Sequence, residues 1–278
     1  MTALEFTLVV WVISALGGFL GALAGLGGGV VVVPLLTLLL GVNIQYAIGA
    51  SLVSVIATSS GAAAAFVREG FSNIRIGMFL EIATTVGAVF GAYLTGRIGA
   101  HAISIIFGLV LIQAAYQSLF GKTGEGQRIP SDALGRRLRL AGSYPLGEKR
   151  EEYGVRNVPA GFAIMFGAGA LAGLLGIGSG AVKVIAMDRA MKIPFKVSTT
   201  TSNFMIGVTA AAGAGIYIQH GYIQPRVAMP VMLGVLGGAL LGAKVLVRAR
   251  VRTLKIVFGI VILAMAVEMI VNGALGKI

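Results

Sequence analysis

From its first turn onward the chain alternates long apolar runs with short polar or glycine-rich breaks. No side chain between Glu5 and Arg68 is charged. As one helix that stretch would measure roughly 93 Å at about 1.5 Å per residue. A bilayer core is only about 30 Å thick, so the segment must fold back on itself. The runs are continuous rather than alternating, and lipid admits only helices or closed barrels. The pattern therefore predicts α-helices and excludes a barrel. Ordinary spans are predicted over residues 44–67, 76–95 and 102–120, and again over 197–219, 227–247 and 254–271. Ahead of each trio stands an apolar segment interrupted by glycines, at Leu23 to Gly29 and, within 158–187, at Leu174 to Gly180.

The two trios repeat. At a fixed offset of 151 residues and without a gap, Gly25 meets Gly176, Gly27 meets Gly178, Gly29 meets Gly180, Ser51 meets Ser202, Thr58 meets Thr209 and Gly87 meets Gly238. The register persists through Gly91 and Gly242, Arg97 and Arg248, and Phe107-Gly108 and Phe258-Gly259. Glycines such as Gly87, Gly91 and Gly242, in Gly-x-x-x-Gly spacings, suit close approach of transmembrane helices.

Composition agrees with a membrane chain: 57% of the 278 residues are hydrophobic and 12% charged, with a mean hydropathy of +0.93. The net charge of +12 changes the picture by its placement. The basic residues lie beside apolar runs, which speaks for positive-inside topology and against nucleic acid as a partner. The connector from Lys122 to Arg156 carries eight of them and is expected in the cytoplasm. If each broken segment enters and returns as a hairpin, Arg189, Lys192, Lys196 and the cluster around Arg248 also fall inside, and both termini fall outside. Each half then has three full spans plus a hairpin, so the halves enter from opposite faces. The expected fold is an all-α membrane protein of two inverted-topology repeats, each a glycine-broken helical hairpin plus three transmembrane helices. Residues 1–120 form the first repeat, 121–156 a basic cytoplasmic connector that is solvated or lies on the membrane surface, and 157–278 the second repeat. The N-terminus lacks the basic region of a signal peptide, so the first helix is expected to be retained.

Inverted repeats with discontinuous helices place a substrate at the midplane between halves. Glycine brings backbone close to a ligand, and a helix restarting after a break presents free N–H groups and a positive dipole end, the setting that binds anions. The candidate ligands are thus Gly25, Gly27, Gly28 and Gly29 at one tip and Gly176, Gly178, Ser179 and Gly180 at the other. The alternative is that these glycines only allow tight hairpin packing. Ser51, Thr201, Ser202 and Asn203 add donors early in the following spans, whereas Thr58 and Thr209 are expected to bond carbonyls of their own helices. Lys183, one turn past the second tip, either supplies a counter-charge or snorkels toward Asp188. Glu81 could exchange protons, although an interfacial partner such as Arg75 is the simpler reading. Gln113, Gln117 and Glu268 rank low. Without cysteine, and with His101 and His220 far apart, no metal site or cofactor is expected. No nucleophile with a base stands out, so an enzyme is not expected.

The segment Ala24-Gly25-Leu26-Gly27-Gly28-Gly29 leading to Pro34, followed by Ala50-Ser51-Leu52, resembles the hallmark of the sulfite exporter TauE/SafE family, with weaker copies at Gly176 to Gly180 and Thr201-Ser202. The chain departs from the pattern at Ser179, at Ile185 in place of the second proline, at Ala50 in place of threonine, and in its long connector. The resemblance implies transport of sulfur-containing anions such as sulfite, sulfonates or related organic acids. The function expected is a secondary transporter that moves such an anion by alternating access; an anion channel, or a carrier for another small carboxylate or oxyanion, is the alternative. The expected partners are that anion and the lipid bilayer, with oligomeric state left open.

Overall fold

The computed structural model describes the chain except for residues 1, 25–27, 69–71, 121–129, 147–148, 247–250 and 278. Helices α1 (Ala3–Ala24) and α2 (Gly29–Leu40) flank the first glycine segment, and α3 (Ile44–Arg68), α4 (Ile74–Thr95) and α5 (Ala100–Phe120) follow. The connector carries a short helix, α6 (Ala133–Arg137), and two strands, β1 (Gly142–Leu146) and β2 (Lys149–Tyr153). Helix α7 (Val158–Leu175) ends at the second glycine segment. Beyond it α8 (Gly180–Ile185) runs into a π-helical turn, Ala186–Ala190, and α9 (Phe195–Gln219), α10 (Pro225–Leu246) and α11 (Val251–Ala274) complete the chain. Among the described residues α1, α4, α5, α7 and α10 are long and apolar enough to cross a bilayer. Helices α3, α9 and α11 match them in length, with 25, 25 and 24 residues.

Exposure is reversed relative to a protein that faces water. Leu8, Trp11, Met78, Ile82, Val86 and Phe90 are exposed, whereas Ser51, Ser54, Thr84, Ser104, Lys183, Ser202 and Thr209 are buried. Lipid demands this arrangement, because a polar group facing hydrocarbon lacks a partner.

Small residues decide which helices meet. Gly234, Gly238 and Gly242 of α10 stand against the carbonyls of Trp11, Ala15 and Phe19, so α10 runs parallel to α1. Gly87 and Gly91 of α4 stand against the carbonyls of Phe166 and Ala170, and Gly169 and Gly173 of α7 against those of Thr84 and Ala88, so α4 runs parallel to α7. Each half thus lends its first helix to the other half. Helix α9 packs against α3, with Gly207 at Ser59 and Gly213 at Leu52. The Ser104 hydroxyl donates to the Met269 carbonyl (2.9 Å), holding α5 to α11. At one end of the bundle the Tyr217 hydroxyl joins Thr95 (2.8 Å) and donates to the Leu174 carbonyl (3.1 Å).

At the opposite end the connector docks. Asn73 donates through Nδ2 to the Tyr153 hydroxyl (2.7 Å), Arg75 donates to the Arg139 carbonyl (3.0 Å), and the Arg156 amide donates to the Met191 carbonyl (3.1 Å). Leu140, Tyr144, Tyr153 and Val155 share an apolar cluster with Ile76, Leu80, Met187 and Met191, and burial pushes the Tyr153 phenol above its ordinary pKa. The described part of the connector is therefore packed onto the bundle rather than only solvated. Its antiparallel strand pair, with Tyr144 opposite Glu151, escapes sequence reading because Pro145 and the charged run from Lys149 to Glu152 mask the two-residue alternation.

Adjacent glycines on α10 give a direct test of this packing. A Cβ at Gly238 would run into the backbone of Ala15, whereas one at Gly237 meets nothing within 4 Å. Gly238→Ala should destabilise the bundle by about 1–3 kcal/mol through overpacking. Gly237→Ala should be neutral or stabilise by up to about 1 kcal/mol. Thermal unfolding of both variants in detergent measures the difference.

Candidate functional site at the two helix breaks

The two breaks lie side by side. Gly29, at the restart of α2, is so close to the Gly176 carbonyl that a Cβ there would come within 2.9 Å of it and within 2.6 Å of Ser51 Oγ. The Ser51 hydroxyl donates to that same carbonyl (2.9 Å), tying α3 to the end of α7. On the other side the Ser202 hydroxyl donates to the Gly180 carbonyl (3.2 Å), tying α9 to the start of α8. Gly28 is helical, with φ −63°. The left-handed positions are instead Gly176 (φ 65°) and Ser179 (φ 41°), so the second tip does not rely on glycine alone for its turn. Gly178 packs on Ile206 and Gly28 on Val235. Gly25 and Gly27 lie outside the described residues.

A cavity of about 30 Å³ opens beside the tips, lined by Val30 of α2, Ile177, Ser179 and Gly180 of the second tip, and Gln113 and Gln117 of α5. Space for one water takes about 10–15 Å³, so the cavity has room for two or three waters at most and not for an oxyanion with its hydration shell. Ser179 is 6% exposed and its hydroxyl has no hydrogen-bond partner. A residue at positive φ with an orphaned hydroxyl is costly twice over, which marks Ser179 out. Gln113 and Gln117, ranked low from sequence, line the same space. The signal that could have raised them is their four-residue spacing, which puts two polar side chains on one face of an apolar helix.

Other candidates point elsewhere. Thr201 accepts from the Asn73 amide (3.0 Å), joining α9 to the start of α4. Asn203 stands half-buried on α9. Lys183 neither snorkels nor reaches Asp188: it is 0% exposed and its ammonium donates to Thr209 Oγ1 (2.6 Å). Thr209 Oγ1 lies 3.0 Å from the Met205 carbonyl of its own helix, the contact expected from sequence, and 2.8 Å from Glu81 Oε1; it has one hydrogen to give, and the charged, nearer oxygen is the stronger acceptor. Thr58, too, bonds a carbonyl of its own helix, that of Ser54 (3.0 Å). Glu81 is not partnered by Arg75, which serves the connector; Thr85 donates to Glu81 Oε1 (3.2 Å), and Lys183 is its counter-charge. The two charges are far apart in sequence and on different helices, so each sequence-local partner loses to a tertiary one. The clue was available: one acid and one base, each alone inside an apolar run, must find each other.

A family model described as Sulfite exporter TauE/SafE matches residues 10–269. The chain belongs to the TauE/SafE family. Relatives agree in kind. "Probable membrane transporter protein YunE" of Bacillus subtilis (strain 168) is 26% identical over 277 residues, covering 97% of this chain and 99% of its own length. "Probable membrane transporter protein YdhB" of the same organism is 30% identical over 85% of this chain and 87% of its own length. A "Probable membrane transporter protein" of Xylella fastidiosa (strain 9a5c) is 26% identical over 91% of this chain and 90% of its own length. No solved structure matches. The chain is thus a multi-pass membrane transporter.

In this TauE/SafE transporter the buried charge pair makes a stability prediction. Removing one partner strands the other charge and typically costs about 3–5 kcal/mol, whereas replacing both costs less. Lys183→Met should lower the unfolding temperature sharply, and Lys183→Met combined with Glu81→Gln should recover part of the loss. Additive losses in such a double-mutant cycle would show that the two side chains do not interact.

Proposed function

We propose that this chain is a secondary carrier in which small sulfur-containing anions, such as sulfite or a simple sulfonate, bind between the two helix breaks and cross by alternating access. The observation that carries the reading is the cavity between the restart of α2, the second tip and α5, lined by Val30, Ser179, Gln113 and Gln117, beside which the Ser179 hydroxyl lacks a hydrogen-bond partner. With no lysine or arginine lining it among the described residues, recognition falls to neutral donors: the hydroxyl, the amides and the N–H groups at the restart of α2, where the helix dipole is positive. The family supports the class of substrate. The small size of the cavity supports a closed state that must open for an oxyanion to enter.

Alternating access fits two halves that are inverted repeats, 1–120 and 157–278. The exchange of first helices supports this, since α1 on α10 and α7 on α4 are the same contact at the 151-residue offset. So do the opposed ends of the bundle: the connector meets the start of α4, while the end of α4 meets the end of α9. In our reading the connector face is cytoplasmic and both termini lie outside, which puts the basic clusters inside.

Uptake of radiolabelled sulfite and of a simple sulfonate into proteoliposomes tests the proposal. Flux should saturate, and Ser179→Gly should raise KM roughly ten- to hundredfold, since a hydrogen bond to a charged group is worth about 1.5–3 kcal/mol. The same change should raise the unfolding temperature, because it relieves the positive φ and the orphaned hydroxyl. Absence of flux for both compounds in folded protein would refute the substrate class. Unchanged KM would remove the anion from Ser179.

A further inference from the structure

The cavity beside the tips does not account for the most expensive feature of the molecule, the charge pair between α4, α8 and α9. We propose that Glu81, Thr209 and Lys183 form a proton-binding site that couples anion movement to proton movement, one proton per anion in the same direction. This rests on the anion-carrier reading above.

The geometry is that of a relay rather than a salt bridge. A single hydroxyl separates the charges: Thr209 Oγ1 accepts from Lys183 Nζ at 2.6 Å and donates to Glu81 Oε1 at 2.8 Å. Oε1 also accepts from Thr85 at 3.2 Å, while Oε2 is buried and without a partner. A structural ion pair would be expected to satisfy both carboxylate oxygens, and an apolar pair of the same volume is commonly as stable. The orphaned Oε2 is where a proton can add. Thr209 takes one of the three ammonium hydrogens, so the positive charge of Lys183 is not neutralised by direct contact with a carboxylate oxygen and its field extends to the neighbouring tip.

Charge balance sets the sign of the coupling. Empty, the site holds one positive and one negative charge. An anion held at the second tip, one turn from Lys183, draws on the same positive charge that balances Glu81, and protonation of Oε2, forming one O–H bond and breaking none in the protein, restores neutrality in a medium where net charge is costly. Proton and anion therefore bind together and leave together. No other ionisable group faces Glu81 among the described residues. Helix α7 carries none, and α9 carries Lys196 and Tyr217 near its two ends. Asp188 of the π-helical turn is engaged with Arg189 and Lys192, and Arg75 with the connector. At the 151-residue offset Val32 stands for Lys183 and Met232 for Glu81, so the repeat does not duplicate the pair. Its link to the tip is short, since Lys183 lies in the first turn of α8 and its amide donates to the Ser179 carbonyl (3.1 Å).

Two measurements on the intact protein test this. In proteoliposomes, a one-unit inward proton gradient should accumulate sulfite about tenfold above its equilibrium level, the equivalent of about 1.36 kcal/mol. Glu81→Gln should reduce that to about onefold. Thr209→Val should do the same and Thr209→Ser should restore the gradient response, a pattern that misfolding of one variant would not produce. Infrared difference spectra of purified protein between high and low pH supply a readout that needs no flux. A carboxylic C=O band present in wild type and missing in Glu81→Gln supports the site even if neither anion is transported, in which case only the substrate reading fails. Accumulation unchanged in Glu81→Gln, or no band that depends on Glu81, overturns the proposal.

Discussion

Lipid offers no hydrogen-bond partner to an interrupted helix, and that constraint organises everything else in this molecule. Both apolar segments that precede the spans are broken, after Ala24 and after Leu175, and a break at membrane depth survives only where protein surrounds it. The breaks must sit in the middle of the bundle, with α3 and α9 beside them supplying Ser51 and Ser202 to the carbonyls of Gly176 and Gly180. The outer helices then have one task, which is to close around that centre. Glycine and alanine at the α1–α10 and α4–α7 contacts let them do so at backbone distance.

The same centre concentrates what the proposed anion carrier needs. Where α2 restarts, N–H groups lie next to the end of α7, so in the closed arrangement opposite dipole ends face each other and little field is left over. Separating the tips would expose the positive end of α2 to a ligand, which makes occupancy and conformation parts of one equilibrium. Lys183 sits one turn away and is anchored through Thr209 to α4, the helix whose first turn holds the connector. The tip, the charge pair and the connector face thus form one continuous set of contacts.

Much of this was legible in the sequence, because membrane helices leave a one-dimensional record. The predicted span 76–95 became Ile74–Thr95, and 197–219 became Phe195–Gln219, since length and hydropathy alone bound them. The 151-residue offset brought both glycine tips and both serines to notice before any geometry was known. What stayed hidden is tertiary. Glu81 and Lys183 each had a plausible neighbour in sequence, Arg75 and Asp188, and only packing shows that they share Thr209. The strands of the connector carry Pro145 and consecutive charges, so their order comes from Tyr144 and Tyr153 docking on Met187 and Met191 rather than from local preference. Ser179 was a candidate ligand from its place in the second tip as well as a departure from the family pattern; only the structure shows its positive φ and unpaired hydroxyl.

The absence of cysteine makes the central claim, that one site opens to either face in turn, directly accessible to labelling. Single cysteines placed at Ser51 and at Ser202, both buried here, would be challenged in vesicles with an impermeant thiol reagent from one side or the other, with and without sulfite. The account predicts that each position is labelled from either face but that conditions favouring labelling from one side suppress it from the other. Simultaneous labelling from both faces under one condition, or none from either, would contradict it.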